Sequence, residues 1–185
     1  MMADRTHNGL TFEPMTLPDL LQMHHAYWNT PGWPQTLSTV PLCEQFVADW
    51  SIRSFFGTGE FSAIRRADDR LVIGFTTLSK ANENFVPDGV NAVEAGTFLV
   101  PQVRGTGVNA QVKQYLRDQA SDVFAASHIV YLVDTENKRA QQALQKLPYP
   151  VTKVEMTDTH HPWHRYLRRR VFEERRDGIL FIQEL

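Results

Sequence analysis

Residues 101–110 read PQVRGTGVNA, with Gly105 and Gly107 two positions apart and Arg104 just before them. Glycine takes left-handed backbone angles at little cost and lets a ligand approach the main chain closely. The apolar run AVEAGTFLV (92–100) before the turn has the character of a strand. The pattern after it, from Val108 to Ala120, has helical spacing with Val108, Val112, Tyr115 and Leu116 on one face. A strand feeding a glycine turn into a helix gathers unpaired amides and the positive end of a helix dipole in one place. The chemistry that suits such a place is anion binding, phosphate above all, and Arg104 adds a cation to it.

Three phosphate motifs compete for the turn. A P-loop needs G-K-[ST], which does not follow here. GTGVNA fits the dinucleotide fingerprint G-x-G-x-x-A, which belongs to an oxidoreductase. That motif wants its first glycine directly after the strand and an acidic residue about 20 positions later. Instead Pro101, Gln102, Val103 and Arg104 intervene, and the nearest acid, Asp134, comes late. QVRGTG fits a third pattern, Q-x-x-G-x-G, in which Gln102, Gly105 and Gly107 fill the fixed positions.

Other clusters carry less. HHPWH (160–164) holds three histidines, but Pro162 forbids the helical i,i+4 geometry of a zinc pair, so no metal is expected. His24 and His25 point to different faces of one helix. RYLRRRVFEE (165–174) reads as a strand, with Arg168, Arg170 and Phe172 on one face and Glu173 and Glu174 pairing some arginines.

These residues are positioned by an alternation of short elements. Strand 10–16 precedes a helix opening at Pro18, which NTPGWP (29–34) stops. A second helix runs from Val40 to Phe55, with Leu42, Phe46, Val47 and Trp50 on one face. A hairpin over 61–78 turns at ADDR, and 80–91 is a loop. After the strand–turn–helix come a buried strand, HIVYLV (128–133), and a helix from Lys138 to Leu147. The tail forms a closing hairpin of 165–174 with ILFIQEL. Strands 92–100 and 128–133, joined through a helix, form a parallel β-α-β unit within an otherwise antiparallel sheet. The expected fold is α/β, a mixed and largely antiparallel sheet with helices on both faces.

The 185 residues suggest a single domain, 1–185. A net charge of −2 argues against a nucleic-acid partner, which calls for a strongly basic field. Cys43 is the single cysteine, so no internal disulfide forms, in keeping with a reducing compartment. No apolar run approaches the roughly 20 residues that span a bilayer, and MMADRTHNGL has no apolar signal core. A soluble cytoplasmic protein without a membrane partner is the expectation.

The loop, the buried strand and the helix NKRAQQALQKL (137–147) together resemble the GNAT acyltransferases. VEAGTFLVPQVRGTGVNAQVK looks specifically like the group named for ribosomal-protein N-terminal acetyltransferases. That resemblance implies an N-acetyltransferase that uses acetyl-CoA and no metal, and transfers to a primary amine on a peptide or small molecule. It assigns the pyrophosphate to Gln102, Val103, Arg104, Gly105, Thr106, Gly107, Val108 and Asn109, and the pantetheine to the backbone of Phe98, Leu99 and Val100. Asn137 matches an asparagine that bonds the pantetheine arm; the same residue suits a helix N-cap. Glu94 stands where the group has a glutamate and is implied to act as a water-mediated base, the alternative being a salt-bridged strand residue. The stretch 27–40 is implied to wall the acceptor cleft, with Trp28 and Trp33 facing a ligand or one of them anchoring the loop. Members of the family often form homodimers, on which no residue here bears. Leu144 stands where many members place a tyrosine acid, Ala140 where many of the group have serine, and Pro148 replaces a glycine. Tyr149 is a substitute for the acid. These departures keep a second reading open, a degenerate domain that binds CoA or a partner without turnover.

Overall fold

The computed structural model describes residues 5–7 and 9–185. Residues 1–4 and 8, part of the segment read for a signal core, lie outside the described residues. The chain forms two compact units, residues 1–79 with 97–112, and residues 80–96 with 113–185.

In the first unit, β1 (Arg5–His7), β2 (Leu10–Pro14), β3 (Gly59–Arg66) and β4 (Val72–Lys80) pair antiparallel in sequence order. The end of β5 (Ala92–Leu99) lies against β4, where Val100 N donates to Ile73 O at 2.9 Å. This approach needs Gly74: a Cβ there would stand 2.3 Å from the Phe98 carbonyl and 2.8 Å from Leu99 Cδ2. Two helices, α1 (Leu17–Tyr27) and α2 (Val40–Phe55), each start at a threonine that accepts from an amide three residues on, Thr16 from Asp19 and Thr39 from Leu42. A proline stands in the first turn of each. The buried residue of α2 is Cys43, with Phe46, Val47 and Trp50 half-buried, while Leu42 is exposed. The core is aromatic: Trp33, Phe61, Phe75 and Phe98 meet with ring centroids 5.0–5.7 Å apart.

In the second unit the start of β5 pairs parallel with β6 (His128–Asp134), β6 antiparallel with β8 (Gly178–Glu184), and β8 antiparallel with β7 (Thr152–Val154). In this parallel ladder Ala92, Val93 and Glu94 stand opposite His128, Ile129 and Val130. Helices cover both faces of this sheet. Tyr131 of β6 lies under Lys113 of α3 (Val108–Asp122). Its neighbour Val130, on the opposite face, packs with Ala92, Leu180, Trp163, Tyr166 and Leu167. A short helix, α4 (Lys138–Gln145), follows β6.

The tail differs from the sequence reading. Residues 164–174 form a helix, α5 (His164–Glu174), and not a strand, and β8 pairs with β6 and β7 instead of closing a hairpin with it. Its cause is visible in the spacing: Tyr166 and Leu167 are buried and Arg170 follows four residues after Tyr166 on the same face. Outside, Arg169 pairs with Glu173 four residues on at 2.6 Å. With a helix there, Arg168 and Arg170 no longer share a strand face.

Candidate active site

The glycine turn belongs to the first unit. A short 3₁₀ turn, Pro101–Val103, closes with Val103 N donating to Val100 O and Arg104 N to Pro101 O, each at 3.2 Å. Gly105 and Gly107 then take φ of 79° and 89°, a region that costs any other residue type strain. The first backbone bond of α3 runs from Ala110 N to Gly107 O at 3.1 Å. Among the described residues, the amides of Gly105, Thr106, Gly107, Val108 and Asn109 have no backbone acceptor. A Cβ at either glycine would meet nothing within 4 Å, so the space beside these amides is open. Five successive N–H groups at the start of a 15-residue helix are the donor set a diphosphate requires, and the residues present fit one. Thr106 Oγ1 donates to Val103 O at 2.7 Å and braces the turn.

Arg104 is directed elsewhere. Its Nε donates to Leu99 O at 2.8 Å and its Nη2 to Pro31 O at 3.2 Å, with the guanidinium 5.4 Å from the Phe98 ring centroid. Phe98 is buried in the aromatic core. Of the two tryptophans between α1 and α2, Trp33 is 7% exposed, packs at 5.0 Å on Phe98, and donates from Nε1 to Leu37 O at 2.8 Å. It anchors the loop from inside, while Trp28 is 55% exposed.

In the second unit, Glu94 points to the α5 face and carries three hydrogen bonds. Oε2 accepts from the Tyr166 hydroxyl at 2.6 Å and from Arg170 Nε at 2.8 Å, and Oε1 accepts from Arg170 Nη2 at 2.8 Å. Arg170 also donates to Glu173 and Glu174, at 2.8 and 2.9 Å. Burial opposes the Arg170 charge, but hydrogen bonding and attraction to Glu94, with Glu173 behind it, outweigh this and hold its pKa above the ordinary arginine value. Burial first, and then the Glu94 charge, raise the Tyr166 pKa, so the phenol stays a donor. Sequence reasoning missed both partners of Glu94 because it placed them on a strand. The four-residue spacing of Tyr166 and Arg170 was the signal that both reach one point from a helix.

Asn137 caps α4, its Oδ1 accepting from Ala140 N at 3.1 Å. Its amide nitrogen has no partner among the described residues and remains a donor. Leu144 is buried. The Tyr149 hydroxyl is buried without a hydrogen-bond partner among the described residues, under Arg117, whose guanidinium lies 5.2 Å from the ring centroid. Burial raises its pKa, opposed by Arg117, so it too keeps its proton at neutral pH. His161 and His164 sit in local contacts, Nδ1 of the first accepting from Trp163 N and Nε2 of the second 3.1 Å from Met156 O.

The family model for the acetyltransferase (GNAT) domain matches residues 9–149, running through segments of both units. No curated protein matches the chain in sequence. Among solved structures, one from Vibrio cholerae assigned as a ribosomal-protein-serine acetyltransferase has a TM-score of 0.71 at 11% identity, covering 99% of this chain and 98% of its own. An acetyltransferase from Agrobacterium tumefaciens str. C58 has a TM-score of 0.69 at 15% identity, with coverage of 100% and 96%. The ribosomal-protein-S5-alanine acetyltransferase from Vibrio fischeri has 0.66 at 12% identity, with coverage of 99% and 97%. At such identities these likenesses concern the fold, whereas the family match spans most of the chain. The chain belongs to the GNAT acetyltransferase family.

Proposed function

We propose that the chain transfers an acetyl group from acetyl-CoA to a primary amine, a protein N-terminus or a small-molecule amine. The row of unpartnered amides from Gly105 to Asn109 carries this reading, because it is a ready receptor for a diphosphate. Gln102 and Val103 lead into that row. The amide nitrogen of Asn137, left over from capping, supplies a donor for a carbonyl of the pantetheine arm, and the backbone of Phe98 to Val100 the strand edge that arm follows. Trp28 is the exposed aromatic on the acceptor side, with Trp33 fixing the loop behind it.

In the reaction the amine nitrogen attacks the thioester carbonyl carbon, the C–S bond breaks, and its electron pair leaves on sulfur. The surplus proton on nitrogen passes to a base. A free α-amine has a pKa near 8 and a lysine about 10.4, so the base matters most for the latter. Glu94 fills this role through water, Oε1 having accepted one hydrogen bond where Oε2 has two. A thiol with a pKa near 8.5 leaves without a dedicated acid, and Tyr149 is the nearest match for a donor in the absence of a tyrosine at position 144.

One observation favours a second reading: the three hydrogen bonds on Glu94 suit a framework residue in a domain that binds CoA without turnover. The first test is thermal unfolding with acetyl-CoA, CoA and NADH separately. A ligand at 100 times its dissociation constant adds about 2.7 kcal/mol, several degrees for a chain of this size. Acetyl-CoA and CoA are expected to stabilise and NADH not; stabilisation by NADH alone would overturn the reading. The second test is Glu94→Gln in an amine-acetylation assay. Loss of turnover supports the base; unchanged turnover with a lowered melting temperature assigns Glu94 to the framework.

A further inference from the structure

The loop between α1 and α2 and the glycine turn meet, within the first unit, at a single side chain. Arg104 leaves the turn and donates to two carbonyls from different parts of that unit, Leu99 O at the end of β5 and Pro31 O in the loop, 73 residues earlier in sequence. Its planar head lies over Phe98, the same ring against which Trp33 packs. The loop has its own turn bonds, Thr30 N to Tyr27 O at 2.8 Å and Trp33 N to Thr30 O at 3.0 Å. The loop is therefore fixed at two points, Trp33 inside and Arg104 at Pro31. The second belongs to the glycine turn. Arginine alone can make this set of contacts, because its fork presents separate N–H groups at fixed angles and its face stacks on an aromatic ring, whereas a lysine offers one point charge.

We infer that Arg104 is a positioning residue for the acceptor: from the turn that receives the diphosphate it reaches the loop that walls the amine, and it sets where that loop stands. The inference rests on the function proposed for both segments. A diphosphate on the amides of Gly105 to Asn109 fixes the backbone from which Arg104 projects, and so tightens the grip on Pro31 O. Coupling of this kind is reciprocal, so an amine that orders the loop strengthens cofactor binding by the same factor. A phosphate drawn to the guanidinium itself would have the opposite sign, pulling Arg104 off Pro31 and loosening the loop.

Hydrogen exchange of the segment 28–37 separates these outcomes in wild type, Arg104→Met and Arg104→Lys, each with and without CoA. Arg104→Met keeps the apolar stem over Phe98, and Arg104→Lys keeps the charge, so a fold that tolerates either suffices. In the free protein both variants should exchange roughly tenfold faster in 28–37, the loss of one hydrogen bond to a charged donor, with α2 and β3 unchanged. CoA should slow exchange there in wild type and in neither variant. Its dissociation constant should rise less than about threefold in the variants, and the Michaelis constant for the amine should rise more. The inference is overturned if 28–37 exchanges alike in all three proteins, if CoA speeds exchange there in wild type, or if CoA affinity drops tenfold with the loop unmoved. Should CoA bind none of them, the diphosphate reading falls, and the comparison of the free proteins still decides whether Arg104 holds the loop.

Discussion

The glycine turn and the surroundings of Glu94 are both polar, yet they are built in opposite ways. From Gly105 to Asn109 five amides lack a backbone acceptor among the described residues, and the space beside them is open. At Glu94 two oxygens take three hydrogen bonds from Tyr166 and Arg170, and Arg170 donates further to Glu173 and Glu174. Helix-start amides that face solvent stay available to an anion, whereas a cluster whose hydrogen bonds are made within the protein holds elements together. Glu94 is in that sense an anchor of α5, and the base role proposed for it would be a second use of the same carboxylate.

The largest effect expected from breaking this contrast lies at the saturated cluster. Arg170→Met leaves the Glu94 charge without its cation. Removing one partner of a buried pair costs about 3–5 kcal/mol, and exposure of about a fifth on both side chains places the loss near 3 kcal/mol. Denaturant melts should show it, while acetyl-CoA affinity of the folded fraction stays as in wild type; a loss of affinity without a loss of stability would put Arg170 in the binding site. A charge inside the framework sharpens the point next. Lys113 is buried with Nζ 4.3 Å from the Tyr131 ring centroid, and burial lowers its pKa from 10.5 to about 7. Between those values the unfolded chain holds more protons than the folded one, so wild-type stability rises with pH from about 7 to about 10.5, and the cost is fully present below pH 7. Lys113→Met removes that slope, so any advantage it has over wild type at pH 7 should shrink as the pH rises toward 10.5. An equal gap at both pH values would assign the effect to packing. The smallest effect is at the open turn: Gly107→Ala adds strain at φ of 89° and puts a methyl into the open space beside the amides. It should weaken acetyl-CoA binding roughly tenfold with a stability change near 1 kcal/mol, read by titration and melting. Unchanged affinity would remove the turn from the site.

Much of this was legible in the sequence where a residue type dictates its own conformation. The turn announced itself because glycine takes positive φ at least cost, and the asparagine cap and the strand–helix order followed from local chemistry, whereas the threonine caps came only with the structure. The tail failed for a physical reason. RYLRRRVFEE has so few apolar residues that period two and period 3.6 both pass through it, and the packing of Tyr166 and Leu167 beneath the chain decides for the helix. Strand β7, three residues long, exists because β8 offers it an edge. The site divides likewise. The amide row could be read locally, whereas the partners of Glu94 lie 72 and 76 residues away and that of Arg104 lies 73 away, distances over which composition says nothing.

The place of β8 has a consequence for synthesis. It lies between β6 and β7 in the sheet of the second unit, yet it leaves the ribosome after both. Until Glu184 has been made, β6 and β7 each lack their antiparallel neighbour, and the apolar face formed by Leu180 and Ile182 does not exist. The strands of the first unit, β1 to β4, are complete about a hundred residues earlier. Nascent chains should therefore carry a folded first unit beside an unfinished second one that exposes strand edges, the state in which chains are most prone to aggregate and to need chaperones.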